Sequence, residues 1–152
     1  MNVFEGNLIA QDMSLGIVVS RYNHLISDRL VEGAIDCFLR HGGRAQNLIV
    51  AKVPGSWEVP LVVKSLLPKV EGVVALSVLI RGQTSHFEYI ASELTKGLAQ
   101  ISLEMSKPVT YGVITADNLE QALERAGSKH GNKGWEGMLA LIEMVNLLRN
   151  IK

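Results

Sequence analysis

Hydrophobic and polar positions along the chain switch between two periods. Leu15-Gly-Ile-Val-Val-Ser20 is a short apolar run rich in β-branched residues, the pattern of a strand buried on both faces of a parallel sheet. Val31, Ala34, Ile35, Phe38 and Leu39 then recur at helical spacing, with Ser27 or Asp28 to cap the start and Gly42-Gly43 to end the helix. The pattern repeats. A strand over Asn47 to Val53 is stopped by Pro54-Gly55, and a helix over Val59 to Leu67 carries Pro60 in its first turn. Gly72 to Ile80 is the most apolar strand and is placed centrally. A long helix over Ser85 to Ser106 follows, with Phe87, Ile90, Ala91, Leu94, Leu98, Ile101 and Met105 on one face. Pro108 ends that connection and Val109 to Ile114 reads as the last strand. Asp117 or Asn118 caps a short helix to Arg125, with Glu120 or Gln121 as capping-box partner. After breaks at Gly127 and Gly131, Gly134 to Leu148 forms a final helix with Met138, Leu141, Ile142 and Val145 inward.

Strands alternating with helices require crossover connections. The expected fold is therefore α/β, a three-layer sandwich around a four-stranded parallel sheet, in one domain over residues 1–152. Asn2 to Leu8 is placed as an added edge strand, on this sheet or on a neighbour's.

Composition narrows the function classes. Apolar residues make up 47% and charged residues 20%, an ordinary globular mixture. Fifteen basic and fifteen acidic residues cancel, which argues against nucleic-acid binding built on bulk charge. The single cysteine, Cys37, excludes an intrachain disulfide and a thiolate-only metal site, and a reducing compartment is the default. The N-terminus lacks a basic region followed by an apolar run, so no signal peptide is read. The longest apolar stretch, Val73 to Ile80, is broken by Ser77 and falls far below the ~18 residues a membrane helix needs. The expectation is a cytoplasmic protein with no membrane contact. A mean hydropathy of +0.20 with zero net charge fits apolar surface hidden in an oligomer, and equally a well-filled monomer core.

Ligands of open parallel sheets bind beyond the carboxyl ends of the strands. Four segments fall there: Ser20-Arg-Tyr-Asn23, Pro54-Gly-Ser-Trp-Glu58, Arg81-Gly-Gln-Thr-Ser-His86 and Thr115-Ala-Asp-Asn118. They hold most of the polar and aromatic residues that the hydrophobic pattern leaves unexplained. The third runs from a buried strand through Gly82 into a helix opened by Thr84 and Ser85, whose unpaired amides suit an anion. Plain capping explains those hydroxyls on its own, but Arg81 and His86 beside them favour a phosphate or carboxylate. His86, placed in the first turn, is expected to stay neutral against the positive helix end and to accept a proton. His24, His41 and His130 read as surface or capping residues. Tyr22 and Trp57 offer a stacking wall for a flat heterocycle, against the plainer role of filling gaps under loops. Glu58 favours the helix dipole and can accept hydrogen bonds from a polyol. Arg125, Lys129 and Lys133 flank Gly127 and Gly131, where basic residues usually serve helix dipoles. Walker, dinucleotide, nucleophile-elbow and metal-ligand spacings are all missing.

These segments, with Val78-Leu-Ile-Arg-Gly-Gln-Thr-Ser-His-Phe-Glu-Tyr89, Glu120-Gln-Ala-Leu-Glu-Arg-Ala-Gly127 and Lys129-His-Gly-Asn-Lys-Gly134, resemble the lumazine synthase family over essentially the whole chain. The resemblance implies a flavodoxin-like fold and a condensation. A ribitylaminopyrimidinedione amine attacks the ketone of 3,4-dihydroxy-2-butanone 4-phosphate, an imine forms, phosphate leaves, and ring closure with loss of water gives 6,7-dimethyl-8-ribityllumazine. No cofactor or metal is implied. His86 would relay protons. Tyr22 and Trp57 would bind the pyrimidine, and Ser56 and Glu58 the ribityl hydroxyls. Gly82, Gln83 and Thr84 with Arg125 would cradle the phosphate. Leu79 and Ile80 would line the pocket, and Tyr111 and Lys133 would complete it, with several of the later residues supplied by a neighbouring subunit. The implied partners are the two small-molecule substrates, further copies of the chain in a pentamer or a cage of pentamers, and riboflavin synthase. The chain departs from the family's usual residues at Tyr22 (phenylalanine), Ser56 (alanine), Ser77 (glycine) and Ala116-Asp117 (Thr-Glu), with Ser77 expected to crowd a backbone approach near the pocket. Two other readings are a flavin- or lumazine-binding module without turnover and a structural shell protein.

Overall fold

The β-branched runs become the sheet. The computed structural model describes residues 1–83, 85–127 and 131–152. Strands β1 (Leu15–Ser20), β2 (Leu48–Val53), β3 (Val73–Ile80) and β4 (Val109–Ala116) pair in parallel in the order β2-β1-β3-β4. Every residue of β1 and β3 is buried, whereas β2 and β4 are half-exposed edges. Both inner strands were the apolar ones in sequence; two share the centre rather than one. The register aligns Ser20 with Val53 and Ile80 with Ala116, so all four loops leave along one rim. From β1 the chain winds outward to β2, and from β3 the other way to β4. The winding therefore reverses between β1 and β3, which opens a crevice at that rim.

Helices cover both faces. Leu15, Ile17, Val19, Val74, Leu76 and Val78 point to one side, against Ile26, Leu30 and Phe38 of α1 (His24–Arg40) and Met138, Leu141 and Ile142 of α5 (Lys133–Ile151). The alternate residues Val18, Val73, Ala75 and Leu79 meet Val59 and Val63 of α2 (Val59–Leu66) and Leu94, Leu98 and Ile101 of α3 (Phe87–Met105). The short α4 (Leu119–Arg125) follows β4 at the rim. The expected three-layer α/β sandwich is present.

Several boundaries differ from the sequence expectation. α1 starts at His24, because Asn23 takes a left-handed conformation (φ 58°) and its carbonyl accepts from the Ile26 and Ser27 amides. Asparagine tolerates that conformation better than most residues. Ser27 is therefore a buried residue inside the helix, neither it nor Asp28 is the cap, and the inward stripe rotates to Ile26, Leu30, Ala34, Cys37 and Phe38 with Leu39 exposed. α3 starts at Phe87 with His86 at the cap position and no side-chain cap bond, so Ser85 lies before the helix and His86 outside its first turn. Thr84, Lys129 and His130 lie outside the described residues. β4 continues to Ala116. The cap of α4 is Asn118, whose side chain accepts from the Gln121 amide at 2.9 Å while the Gln121 side chain accepts from the Asp117 amide at 2.9 Å. His41 keeps its capping reading, with its Nδ1 2.6 Å from the Cys37 carbonyl at the end of α1.

Residues 2–8 pair with no strand of this chain. They run along α5, where the Asn146 amide donates to the carbonyls of Asn7 (2.8 Å) and Ile9 (3.0 Å) and Asn150 donates to that of Glu5 (2.8 Å). Among the described residues no helix is long and apolar enough to cross a membrane.

Candidate active site

The crevice between β1 and β3 holds a cleft of about 280 Å³. It is lined by Tyr22 from the loop after β1, Gly55, Ser56 and Trp57 from the loop after β2, Val78, Leu79, Ile80 and Gln83 from the end of β3, and Ile90 of α3. Each wall has a local cause. The left-handed turn at Asn23 sends the chain sharply from β1 into α1, and the Asn23 amide reaches the Val78 carbonyl (3.5 Å), which places Tyr22 at the rim. Gly55 precedes a single 3₁₀ turn over Ser56–Glu58, and Val59-Pro60 then opens α2 with proline where its missing amide costs nothing. Trp57 is 65% exposed and Tyr22 54% exposed, so two large rings stand in water at the edge of an apolar slot. Below Gln83, the amide of that residue donates to the Ile80 carbonyl (3.2 Å) and Gly82 takes φ 88°. That conformation is open to glycine and strained for other residues.

The remaining predicted residues lie around this cleft in different ways. His86 is exposed at the start of α3, with its ring 6.3 Å from that of Tyr89. Glu58 folds back, with its carboxylate 3.3 Å from where a Cβ on Gly55 would stand, and does not line the slot. Ser77 does not line it either: the side chain is fully buried and its hydroxyl faces other serines, so it crowds no approach to the cleft.

Arg125 belongs to a second cleft, of about 380 Å³, shared with Arg81, Phe87, Glu88, Thr115, Asp117 and Gln121. Its guanidinium donates to the Thr115 carbonyl. Arg81 stands over the Phe87 ring (4.8 Å) and pairs with Glu88 (2.9 Å) and Asp117 (3.3 Å). Those carboxylates, Glu88 before Asp117, hold the guanidinium further above its already high range. Arg81 is thus engaged with two anions of its own chain, which removes the sequence argument that it adds to an anion site beside Gly82. Tyr111 lies mid-strand on β4, its hydroxyl 2.9 Å from that of Thr95 on α3. Lys133 opens α5, at the helix end where a cation does not serve the dipole. Within one chain these three do not reach the aromatic slot. Sequence reasoning missed Gly55, Val78 and Ile90 as lining residues; Ile90 was legible only as core, because its helix face meets both the core and the rim. No group of three or more histidine, cysteine, aspartate or glutamate residues is arranged to hold a metal among the described residues.

The model of one protein family, 6,7-dimethyl-8-ribityllumazine synthase, matches residues 12–149. A 6,7-dimethyl-8-ribityllumazine synthase of Aquifex aeolicus is 58% identical, with all of both chains covered. The chain belongs to the 6,7-dimethyl-8-ribityllumazine synthase family. Relatives of the same name from Chloroherpeton thalassium and Campylobacter fetus are 54% and 50% identical, each with at least 99% of both chains covered. The match spans both clefts and every loop of the rim, and it agrees with the parallel sheet and its layers.

Proposed function

We propose that the aromatic slot holds the ribitylaminopyrimidinedione of the family's reaction and that a neighbouring copy of the chain completes the site. The chain is an enzyme of this family. It condenses 5-amino-6-(D-ribitylamino)uracil with 3,4-dihydroxy-2-butanone 4-phosphate to 6,7-dimethyl-8-ribityllumazine, releasing phosphate and water. One observation carries the siting: an apolar slot lined by two exposed rings at the point where the sheet's winding reverses. Tyr22 and Trp57 stack on the ring, with Leu79 and Ile80 as the slot's apolar lining. Ser56 and Glu58 serve the ribityl chain. Gly82, Gln83 and Thr84, with Arg125, take the phosphate, and His86 relays protons as the imine forms and phosphate leaves. Addition, elimination and ring closure call for proton transfer and positioning, with no cofactor named in any step.

The need for a second copy follows from distance. Tyr111 precedes the rim residue Ala116 by five strand positions (116 − 111), roughly 16 Å at about 3.3 Å per residue. Its ring is nevertheless 46% exposed. Arg125 and Lys133 are likewise outside the slot. A neighbour that presents Tyr111, Arg125 and Lys133 to this chain's slot reconciles these positions. The exposed apolar residues Val3, Phe4 and Ile9 suit the same reading, with residues 2–8 adding a strand to a neighbour's sheet. A pentamer, alone or in a cage, working in the cytoplasm and supplying riboflavin synthase, is the assembly this reading favours. Buried Cys37, a free thiol, is in keeping with a reducing compartment.

Adding the pyrimidine substrate to the pure protein should change Trp57 fluorescence, and Tyr22→Ala should weaken that response. His86→Ala should lower turnover by about tenfold or more with modest change in affinity. Saturating pyrimidine that leaves the emission of wild type and variant untouched would sink the siting, and an unchanged turnover number would remove His86 from the relay.

A further inference from the structure

Behind the slot, three serine hydroxyls form a chain. Ser20 ends β1 and Ser77 lies on β3, both with no exposed surface, while Ser56 opens the 3₁₀ turn and is the one member that lines the cleft. The Ser20 and Ser77 oxygens are 2.8 Å apart, and Ser77 also hydrogen-bonds the Ser56 hydroxyl. Among the described residues neither end of the chain has another hydrogen-bond partner for its hydroxyl.

Proton counting fixes the direction of this chain. Three hydroxyls carry three protons, and two hydrogen bonds use two of them. The third proton must sit on one of the three oxygens. On Ser20 or on Ser77 it would be buried with no acceptor, which costs the full desolvation of a donor. On Ser56 it points into a cleft where water or a ligand can accept it. The favoured order is therefore Ser20 donating to Ser77, Ser77 donating to Ser56, and Ser56 donating outward. We propose that Ser77 is a positioning residue, which together with Ser20 behind it presents Ser56 to the pyrimidine substrate as a hydrogen-bond donor aimed at an acceptor oxygen of that substrate. The inference rests on the siting of the pyrimidine in this slot.

Ser77→Ala breaks the chain in the middle and lets the Ser56 hydroxyl turn. The Michaelis constant for the pyrimidine should rise about two- to tenfold, while turnover and the Michaelis constant for the butanone phosphate change by less than about twofold. Ser56→Ala should act alike, and Ser56→Ala/Ser77→Ala should be no worse than Ser56→Ala alone, because one interaction is being removed twice. Ser20→Ala, which touches no ligand, leaves Ser77 with Ser56 as its one acceptor and Ser56 donating outward, so it should shift the same constant less than Ser77→Ala does. Ser77→Thr keeps the hydroxyl and should recover most of the affinity. An unchanged pyrimidine constant in Ser77→Ala would overturn the proposal, and so would a larger shift in Ser20→Ala than in Ser77→Ala. So would additive effects in the double variant, or a parallel loss for both substrates and in turnover, as expected of a merely structural role. Trp57→Ala separates the two layers of the argument. If it too leaves the pyrimidine constant unchanged, the siting fails and this inference with it; if only the serine variants are silent, the siting stands and the hydroxyl chain is rejected.

Discussion

We read Arg125 as the cation that takes the phosphate. Among the described residues its guanidinium is steadied by one hydrogen bond, to the Thr115 carbonyl, and a guanidinium has five donors, so the rest of the fork can serve a ligand. Arg81, in the same cleft, is by contrast paired with Glu88 and Asp117. Hydrogen bonds to charged groups contribute about 1.5–3 kcal/mol, roughly a 10- to 150-fold effect on binding. Arg125→Ala should therefore raise the Michaelis constant for the butanone phosphate by that order and leave that for the pyrimidine nearly alone. Arg125→Lys should recover part of the loss, since ammonium keeps the charge without the fork. Inorganic phosphate should inhibit the wild type competitively and the alanine variant far less. Loss of pyrimidine affinity instead, with phosphate inhibition intact, would move the assignment to Lys129 or Lys133. Cys37 offers a residue-scale prediction of a different kind. Burial, and secondarily the charge of Asp36, push its thiol up from 9.0 to about 11. The folded state favours the protonated thiol, so its stabilising contribution is complete below pH 9.0 and is lost as pH rises through about 11. Thiol-alkylating reagents at pH 8 should leave the native protein nearly unmodified and label it quickly once unfolded. Rapid native labelling would contradict this.

At the scale of elements, two glycines do different work and should fail differently. Gly134 lies where α5 crosses α1: a Cβ there would stand 1.9 Å from the Leu30 carbonyl oxygen, a backbone atom that cannot step aside. Gly82 has open space around it but holds φ 88°. Gly82→Ala should cost about 1–2 kcal/mol of backbone strain, read as a drop of a few degrees in the melting temperature. Gly134→Ala, by forcing two helices apart, should cost more than Gly82→Ala in the same melts; the reverse order would refute the close-packing account. The contrast also marks what was legible in the sequence. Strand positions, layer assignment and the rim that carries the site follow from β-branched runs, from 3.6-residue spacing and from the rule that parallel sheets bind at their carboxyl ends. The start of α1 was misplaced because a left-handed asparagine leaves no side-chain cap to recognise, and the inward stripe rotated with it. Tyr22, Ser56, Trp57 and Gln83 come together as their loops predict, joined by Leu79 and Ile80 of β3, which the family resemblance named. The engagement of Arg81 with Glu88 and Asp117 was not legible, because it depends on where β4 and α4 stand relative to α3. The serine chain was not legible either, since Ser20, Ser56 and Ser77 belong to three separate elements and only the strand register brings them together.

The whole molecule is where the site must be completed. One chain carries an aromatic slot at the β1/β3 rim and, on the far side of β3, a cleft that holds Arg125, and these are separate openings. Serving one reaction from two openings requires either a large closure of α3 and α4 onto one another or a second copy that turns its Arg125 cleft to this chain's slot. Both α3 and α4 are anchored in the core, through Leu94, Leu98 and Ile101 on one and Ala122 and Leu123 on the other, so closure would expose apolar surface. A second copy costs none of this and covers Tyr111 as well. Chains carrying His86→Ala keep an intact Arg125, and chains carrying Arg125→Ala keep an intact His86. If the site lies between copies, dissociating the two inactive variants and reassembling them together restores some activity, because a fraction of the mixed interfaces pairs an unaltered slot with an unaltered Arg125 cleft. With random mixing that fraction rises with the share of each partner and is greatest near equal amounts, whereas sites built from a single chain yield no recovery at any ratio. Mixed oligomers shown by mass to contain both variants, yet inactive throughout the titration, would assign both clefts to one chain and require the closure that the core argues against.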